Sequence, residues 1–273
     1  MHGMSALKRA TEKDAARLGL EINAPIVCLE ERKRPTPRYW MSALSGIAAV
    51  LLLFVGWQQA PAILLRWQSD YMTATGQRNT ITLPDGSTAI LNTSTAISVD
   101  FQNGRRKVFL LGGEAYFDVR HDPAHPFVVA GTFAEVEVKG TAFAVRTDGE
   151  EDTVLLERGS VEVSRQDTHA LLTPGQMIVA RASGLSGVTS ADMDQSLAWR
   201  DGRIVFRDRP FHEALGDLER YFGGRVLLMT NRASGRLVSG HYRTEDPDAA
   251  IRTLARSAGI EVTRLPGGIL ILR

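Results

Sequence analysis

The sequence predicts a mainly β protein with a single-span membrane anchor, an all-β domain and a small α/β domain at the end of the chain. Three observations lead to this fold class. Residues 39–65 carry no charge, residues 70–190 contain short strand-like segments between turns, and residues 199–273 contain two strand-helix-strand patterns. Residues 1–38 precede the uncharged run, so we expect four consecutive parts.

The composition is that of a folded protein and argues against some classes of partner. Of the 273 residues, 44% are hydrophobic and 23% are charged, which is ordinary for a globular chain. The formal net charge is +1, so no overall basic charge favours nucleic acid, and we predict no nucleic-acid partner. The single cysteine, Cys28, cannot close an intramolecular disulfide.

The uncharged run at residues 39–65 is long enough to cross a membrane as a helix and contact membrane lipid. Its densest part extends from Tyr39 to Trp57; at about 1.5 Å per residue it would be about 28 Å long, close to the ~30 Å hydrocarbon core. Residues 1–38 contain eight lysines and arginines, so the positive-inside rule places the N-terminus in the cytoplasm and the bulk of the chain outside it. The alternative is a signal peptide that is cleaved after Ala62.

Residues 70–190 are predicted to form an all-β domain because strand-like segments recur about every 8–12 residues. The clearest turn is the sequence LPDGS, in which Pro84 sets the first corner, Asp85 suits the second, and Gly86 can adopt a left-handed conformation. We therefore expect a hairpin over residues 80–92. The segments KVFLL and EAYFDV are expected to be two further, separate strands.

Residues 199–273 are predicted to contain a duplicated strand-helix-strand unit. Pro210 opens the first helix, whereas Asp246 is a natural N-cap for the second and Pro247 takes its first position. A last strand is expected from Ile269 to Leu272. Three positions of the first unit recur at the same spacing in the second: Ala214, Leu218 and Val226 match Ala250, Leu254 and Val262.

A small α/β domain of this kind has exposed sheet edges that can bind a partner by strand addition. We predict such contact near the sequence GRLVSGHY at residues 235–242, where small residues alternate with larger ones. The predicted partner-binding residues are Leu237, Val238, Gly240 and Tyr242. The alternative is that this segment is an ordinary inner strand.

The segment RHDPAHPFVV is the one place where the sequence suggests a metal or acid/base site. His121 and His125 lie four residues apart, with Asp122 beside the first. However, Pro123 and Pro126 disfavour a helix, and two histidines with one carboxylate fall short of a closed tetrahedral site. We interpret the segment as a turn. Since no catalytic or phosphate-binding motif occurs elsewhere, we predict no enzyme activity, no metal site and no cofactor.

A series of short motifs lies between residues 83 and 202, and their order and spacing together are specific. Their residues include Pro84, Asp85, Gly86, Gly113, Phe117, Pro126, Phe127, Gly140, Thr141, Phe143 and Trp199. With these motifs the chain resembles the FecR family of bacterial transmembrane signal transducers, and the resemblance covers about residues 70–273. The C-terminal duplication is also similar to the secretin/TonB short N-terminal type of domain.

The resemblance implies an anti-sigma or sigma-regulator protein of the bacterial inner membrane with its bulk in the periplasm. Its implied partners are an extracytoplasmic-function sigma factor and the signalling domain of a TonB-dependent outer-membrane transducer that is loaded with an iron chelate. Periplasmic and intramembrane proteases would release the cytoplasmic end of the protein. The implied process is therefore the regulation of iron transport.

One feature departs from the family pattern. Family members usually carry a longer helical cytoplasmic domain than residues 1–38 provide. Residues 7–22 could form one amphipathic helix, which is either a solvated helix or a sigma-contacting remnant. The alternative function for the whole chain is a membrane-anchored structural or assembly module without sigma-factor control.

Overall fold

The computed structural model describes residues 66–230 and 234–273 of the chain. The predicted membrane span at residues 39–65, residues 1–38 before it and the alternative cleavage site at Ala62 lie outside these ranges. Within them, no helix combines the length and the apolar character that crossing a bilayer requires. The described chain is mainly β, which confirms that part of the predicted fold class.

Strands β1 to β14, between residues 71 and 190, make up the first part of the described chain. Only turns and one short 3-10 helix, Gln102–Gly104, connect them. The strands are β1 (Tyr71–Met72), β2 (Asn79–Thr82), β3 (Thr88–Leu91), β4 (Ala96–Asp100), β5 (Arg106–Asp118), β6 (Phe127–Ala130), β7 (Glu135–Val138), β8 (Ala142–Thr147), β9 (Glu151–Arg158), β10 (Val161–Arg165), β11 (Thr168–Leu172), β12 (Gln176–Arg181), β13 (Gly184–Leu185) and β14 (Thr189–Ser190).

These strands form two sheets that share β5. The first sheet has the order β11-β10-β7-β6-β5-β4-β1, and the second has the order β2-β3-β5-β8-β9-β12, with β13 and β14 both paired to β12. All of these pairs are antiparallel except β5 with β6, which is parallel. The two sheets enclose an apolar core, so this part of the chain is a β-sandwich.

Strand β5 passes from the first sheet to the second at two adjacent glycines. Gly112 lies opposite Ala96 of β4, whereas Gly113 lies opposite Thr147 of β8. Gly113 has a φ of +90°, a value that is strained for any residue with a Cβ. The expectation of two separate strands, KVFLL and EAYFDV, is wrong, because the glycines let one strand of 13 residues bend between two sheets without ending.

The core of the sandwich is built from the inward side chains of alternating strand positions. Phe117, Phe127 and Phe143 are fully buried at its centre. The ring centroid of Phe117 lies 5.9 Å from that of Phe127 and 5.4 Å from that of Phe143, and aromatic pairs at such distances add about 0.5–1.5 kcal/mol beyond burial alone. These three residues of the family resemblance are therefore core residues.

The hairpin predicted at residues 80–92 is confirmed. Strands β2 and β3 are antiparallel partners, and the amide of Gly86 donates a hydrogen bond of 2.9 Å to the carbonyl of Leu83 across the turn. Gly86 has a φ of +82°, the left-handed conformation expected at the end of this turn. Pro84 and Asp85 occupy the two corners.

The part of the chain after residue 192, as described at 193–230 and 234–273, combines three α-helices with five strands. It also contains a 3-10 helix, Ala198–Asp201, which lies between its first α-helix and its first strand. The helices are α1 (Met193–Ser196), α2 (Phe211–Glu219) and α3 (Pro247–Ser257), and the strands are β15 (Arg203–Pro210), β16 (Arg225–Leu228), β17 (Leu237–Arg243), β18 (Val262–Leu265) and β19 (Ile269–Leu272).

The predicted order strand-helix-strand occurs twice, as β15-α2-β16 and β17-α3-β18. The first strands of the two units, β15 and β17, form an antiparallel pair, while β19 lies between β16, which is parallel to it, and β18, which is antiparallel. Asp246 accepts a hydrogen bond of 2.9 Å from the amide of Ala249 and so caps α3 as predicted. The positions matched between the units share one core: Ala214, Leu218, Ala250 and Leu254 are buried, and Val226 and Val262 pack against them.

This C-terminal core packs against the side of the second sheet that points away from the first sheet. The described residues all belong to one compact unit, Trp57–Arg273. Tyr116 of β5, Ala144 of β8 and Leu155 of β9 lie in the same apolar cluster as Leu218 of α2. The second sheet is therefore covered on both faces, by the first sheet on one side and by the C-terminal elements on the other.

Candidate functional site

Several of the motif residues converge on a buried arginine, Arg106, at the start of β5. Its side chain is 7% exposed, and its Nε and Nη2 donate to Oδ2 of Asp85 at 2.9 and 2.6 Å. The same guanidinium donates to the carbonyls of Arg120 and His125, each at 2.9 Å, and it lies 5.4 Å from the ring centroid of Phe127. These contacts, which we call the Arg106 clamp, join the β2–β3 turn to the loop before β6.

The segment from His121 to His125 is a turn, as predicted. Oδ1 of Asp122 accepts hydrogen bonds from the amides of Ala124 and His125 at 3.1 and 3.3 Å. Its Oδ2 lies 3.0 Å from Nδ1 of His125, and this hydrogen bond holds the pKa of Asp122 below its usual value. His121 packs against Gly140 instead. Among the described residues, no group of three His, Cys, Asp or Glu side chains is placed to hold a metal ion.

Asp85 makes the stability of the clamp dependent on pH. Burial alone would raise the pKa of Asp85, but hydrogen bonds from Ser87 and Arg106 outweigh it and hold the pKa below its ordinary value. The carboxylate thus stabilises the fold above its unfolded-state pKa of about 3.9, and the contribution is lost as pH falls through the lower folded-state pKa.

We therefore expect the Asp85→Asn variant to be less stable than the natural protein at neutral pH and to lose less stability on acidification. Urea unfolding between neutral pH and about pH 3 measures both effects. Asp167→Asn is a matched control, because Asp167 is exposed and forms no ion pair with the described residues. If Asp85→Asn and Asp167→Asn gave the same pH dependence, the role assigned to Asp85 would be wrong.

The other residues of the family resemblance are structural in this fold. The amide of Val119 donates to the carbonyl of Thr141 at 2.9 Å, which holds the end of β5 beside the start of β8. Pro126 ends the loop that the clamp holds. Trp199 is 5% exposed, and its carbonyl accepts a hydrogen bond of 2.7 Å from Nη1 of Arg78. Trp199 therefore connects the start of the C-terminal part to the segment before β2.

A buried polar network joins the sandwich to the end of α2. Nδ2 of Asn92 donates to Oε2 of Glu114 at 2.8 Å, and the hydroxyl of Tyr221 lies 2.8 Å from the same nitrogen. Nη2 of Arg220 donates to Oε2 of Glu114 at 2.7 Å, while the hydroxyl of Thr93 donates to the carbonyl of Arg220 at 3.0 Å. Asn92 is only 1% exposed. We call these five residues the junction network.

Burial shifts the ionisation of the groups around this network. Burial raises the pKa of Tyr221 to about 12, and the nearby Glu114 carboxylate acts in the same direction. Burial would lower the pKa of Arg220, but the ion pair with Glu114 outweighs it, and the pKa lies above its ordinary value. Burial also raises the pKa of Asp217, against the opposing effect of Arg209 at 3.0 Å and Arg146 at 3.7 Å. The network is therefore held by a neutral tyrosine and an ionised pair.

We expect Tyr221→Phe to lower the free energy of unfolding by about 1–2 kcal/mol, because the buried amide of Asn92 would lose a hydrogen-bond partner. Tyr71→Phe is a matched control, since the hydroxyl of Tyr71, in β1, has no hydrogen-bond partner among the described residues. Urea unfolding of both purified variants measures the difference. Equal stabilities would show that the Tyr221 hydroxyl contributes nothing to the junction.

A second polar contact, at Glu157, connects β5 and β9 to the 3-10 helix Ala198–Asp201. Glu157 accepts hydrogen bonds from the hydroxyl of Tyr116 and from Arg200, the latter at 2.9 Å. The guanidinium of Arg200 also stacks 4.2 Å from the ring centroid of Tyr116. Burial would raise the pKa of Glu157, but these hydrogen bonds hold it below its ordinary value. Arg200 follows Trp199 directly, so both residues hold the C-terminal part in place.

A cavity of about 270 Å³ lies beside this junction, between the second sheet and β15. Arg146 and Arg209 reach its wall, and both pair with Asp217. The apolar part of the wall is formed by Ala144, Leu155, Met177, Ile204, Trp199 and Phe206.

The predicted partner-binding residues lie on β17, which pairs only with β15 in its two-stranded sheet. Val238 and Tyr242 are 5% and 8% exposed and belong to the C-terminal core. Gly240 packs against the ring of Tyr242, since a Cβ there would lie 3.0 Å from it. Leu237 is 60% exposed. A partner could thus reach the side chain of Leu237 and the backbone edge of β17, but not the side chains of Val238 and Tyr242.

Sequence reasoning did not find Arg106, Glu114, Arg220 or Tyr221. Arg106 stands in the run GRRKV, where the neighbouring basic residues are half-buried or exposed, and nothing in the run distinguishes the buried one. The one usable signal was Asp85, since an aspartate at a turn in an apolar hairpin suggests a buried cationic partner.

The comparisons with known proteins agree with this fold. Residues 69–162 match the model of the FecR protein family. Two crystal structures of a proposed anti-sigma factor from Parabacteroides distasonis are similar to the chain at 26% identity and cover 74% of it; the TM-scores are 0.65 and 0.63, and 97% and 96% of the two compared chains are covered. No protein of curated function matches the chain. The similarity to the FecR family is thus located in the domain at residues 69–162.

Proposed function

We propose that this protein regulates a sigma factor as a transmembrane signal transducer. The observation that carries the proposal is the similarity to the proposed anti-sigma factor of Parabacteroides distasonis, which extends over 97% of that protein's chain. The similarity therefore includes more than the FecR-family domain. Proteins of the FecR and anti-sigma type are regulators rather than enzymes, which favours a regulatory role for this chain.

In the finer form of the proposal, the protein is a single-pass inner-membrane protein with its N-terminus in the cytoplasm and its bulk in the periplasm. It relays the state of a TonB-dependent outer-membrane transducer to an extracytoplasmic-function sigma factor during iron uptake. The uncharged run at residues 39–65 and the eight basic residues before it support this orientation. The C-terminal part, of secretin/TonB short N-terminal type, would face the transducer, and periplasmic and intramembrane proteases would complete the relay.

The first experiment deletes the gene and measures transcription with and without an iron chelate. The proposal predicts that one group of promoters, recognised by a single sigma factor, changes expression and that the full-length chain restores it. A structural or assembly module without sigma-factor control predicts unchanged promoters and a defect of the envelope instead. A two-hybrid assay between the full-length chain and each extracytoplasmic-function sigma factor of the organism then identifies the partner.

The second experiment tests β17 as the surface for the transducer. Leu237→Asp places a charge on the exposed edge, and we expect it to abolish the response to the iron chelate while the chain still accumulates in the membrane. Leu171→Asp is the matched control, because Leu171 is 66% exposed on β11 of the sandwich. A normal response in the Leu237→Asp strain would exclude β17 as the signalling surface without affecting the assignment to sigma-factor regulation.

A further inference from the structure

The sheet formed by β16, β19 and β18 has an apolar outer face that none of the described elements covers. Leu227, Met229 and Leu265 are 45%, 71% and 39% exposed. The strand register places Leu227 opposite Ile271, and Leu265 opposite Ile269, so these side chains form two adjacent rows. The alternate residues of β19, Leu270 and Leu272, are fully buried on the inner face. We call the outward side chains the outer face.

Next to the outer face, β16 offers an open backbone edge. Arg225 and Met229 donate their amides to the carbonyls of Gly268 and Leu272 at 3.1 and 2.8 Å. Since successive amides of a strand point to opposite sides, the amides of Val226 and Leu228 point away from β19. No other described strand pairs with β16 on that side. An open edge beside exposed apolar side chains is the arrangement that strand addition uses.

The charge of this part of the chain indicates the kind of partner. Residues 199–273 contain thirteen arginines, no lysine and nine acidic residues, a net charge of +4, whereas the whole chain has +1. Arg225 lies opposite Ile269 on the outer face, is exposed, and has no ion-pair partner among the described residues. A second copy of the chain would bring two surfaces of the same charge together. Residues 1–38 contain eight basic and five acidic residues, so like charge also disfavours them as the segment that binds this surface.

We propose that the edge of β16 and the outer face bind an extended acidic segment of a partner protein. The segment adds as a fourth strand, its apolar side chains pack beside Leu227 and Met229, and a carboxylate pairs with Arg225. This surface is separate from β17, and the proposal rests on the proposed function only in that the C-terminal part meets a protein partner.

A peptide of alternating valine and glutamate is the probe, and its binding to the purified full-length protein can be measured by calorimetry. We expect saturable binding that weakens by about tenfold, or ~1.4 kcal/mol, in Arg225→Gln and in Leu227→Ser. Leu171→Ser is the control, because it removes an exposed leucine from the sandwich: Leu171 is 66% exposed, against 45% for Leu227. A peptide with N-methyl groups on every backbone nitrogen should not bind, because neither of its edges can pair with β16.

Each contrary result overturns a defined part of the proposal. Absence of binding, or equal binding to the Leu227→Ser variant, excludes the site. Equal binding of a valine-lysine peptide excludes the acidic partner, and equal binding of the methylated peptide excludes strand addition. If the protein instead forms dimers in sedimentation that Leu227→Ser abolishes, the occupant is a second copy. None of these results alters the promoter changes on gene deletion, so failure of this site and failure of the proposed function are distinguishable.

Discussion

Replacing Arg106 with methionine should lower the free energy of unfolding by about 3–5 kcal/mol, the usual effect of removing one partner of a buried ion pair. The side chains of Arg106 and Asp85 are 7% and 11% exposed. In the variant the carboxylate of Asp85 would stay buried without its cation, and the carbonyls of Arg120 and His125 would lose their donors. Urea unfolding followed by tryptophan fluorescence measures the loss.

The neighbouring residue provides the control for this prediction. Arg105 pairs with Asp100 at 3.1 Å, but its side chain is 59% exposed, so Arg105→Met should change stability by no more than about 1 kcal/mol. Adding Asp85→Leu to Arg106→Met should recover part of the stability, since the unpaired carboxylate is removed. Similar stabilities of the Arg105 and Arg106 variants would show that the clamp contributes little to the fold.

Replacing Gly113 with alanine should lower the free energy of unfolding by about 2–5 kcal/mol. A residue with a Cβ at φ +90° costs about 1–2 kcal/mol, and overpacking adds about 1–3 kcal/mol. The added Cβ would lie 2.6 Å from Cα of Thr95 and 2.7 Å from the carbonyl of Ser94. Because these are backbone atoms, they cannot move aside without shifting β4.

Gly112→Ala tests whether this effect comes from geometry rather than from loss of a glycine. Gly112 is the neighbouring residue in the same strand, has no positive φ, and a Cβ there would meet no atom within 4 Å. Its replacement should be neutral or slightly stabilising, because alanine restricts the unfolded chain. Urea midpoints that fall equally for both variants would contradict the assigned role of Gly113.

Much of the fold could be predicted because its signals are local. The β2–β3 turn follows from Pro84, Asp85 and Gly86, which are adjacent in the sequence, and the cap of α3 follows from Asp246 and Pro247. The fusion of two expected strands into β5 could not be predicted, since a glycine pair is also typical of a turn between strands. Only the pairing of each half with a different sheet distinguishes the two cases.

The junction network could not be predicted because its members are distant in sequence. Asn92 and Tyr221 are separated by 129 positions, and neither lies in a motif that indicates a partner. The β17 segment shows a related limit. An alternating pattern identifies a strand, but it does not identify which of its faces packs on the core, and Val238 and Tyr242 turned out to be core residues.

The sharing of β5 between two sheets has a consequence for how the sandwich unfolds. Separating either sheet from the other would require breaking this single strand in the middle, so neither sheet can persist as a folded intermediate without it. We expect one cooperative transition, with amide protons along Arg106–Asp118 exchanging with solvent only through global opening. A domain built in this way cannot change state by unfolding one of its two sheets; a conformational change in it has to be a rigid displacement or a change at the sheet edges.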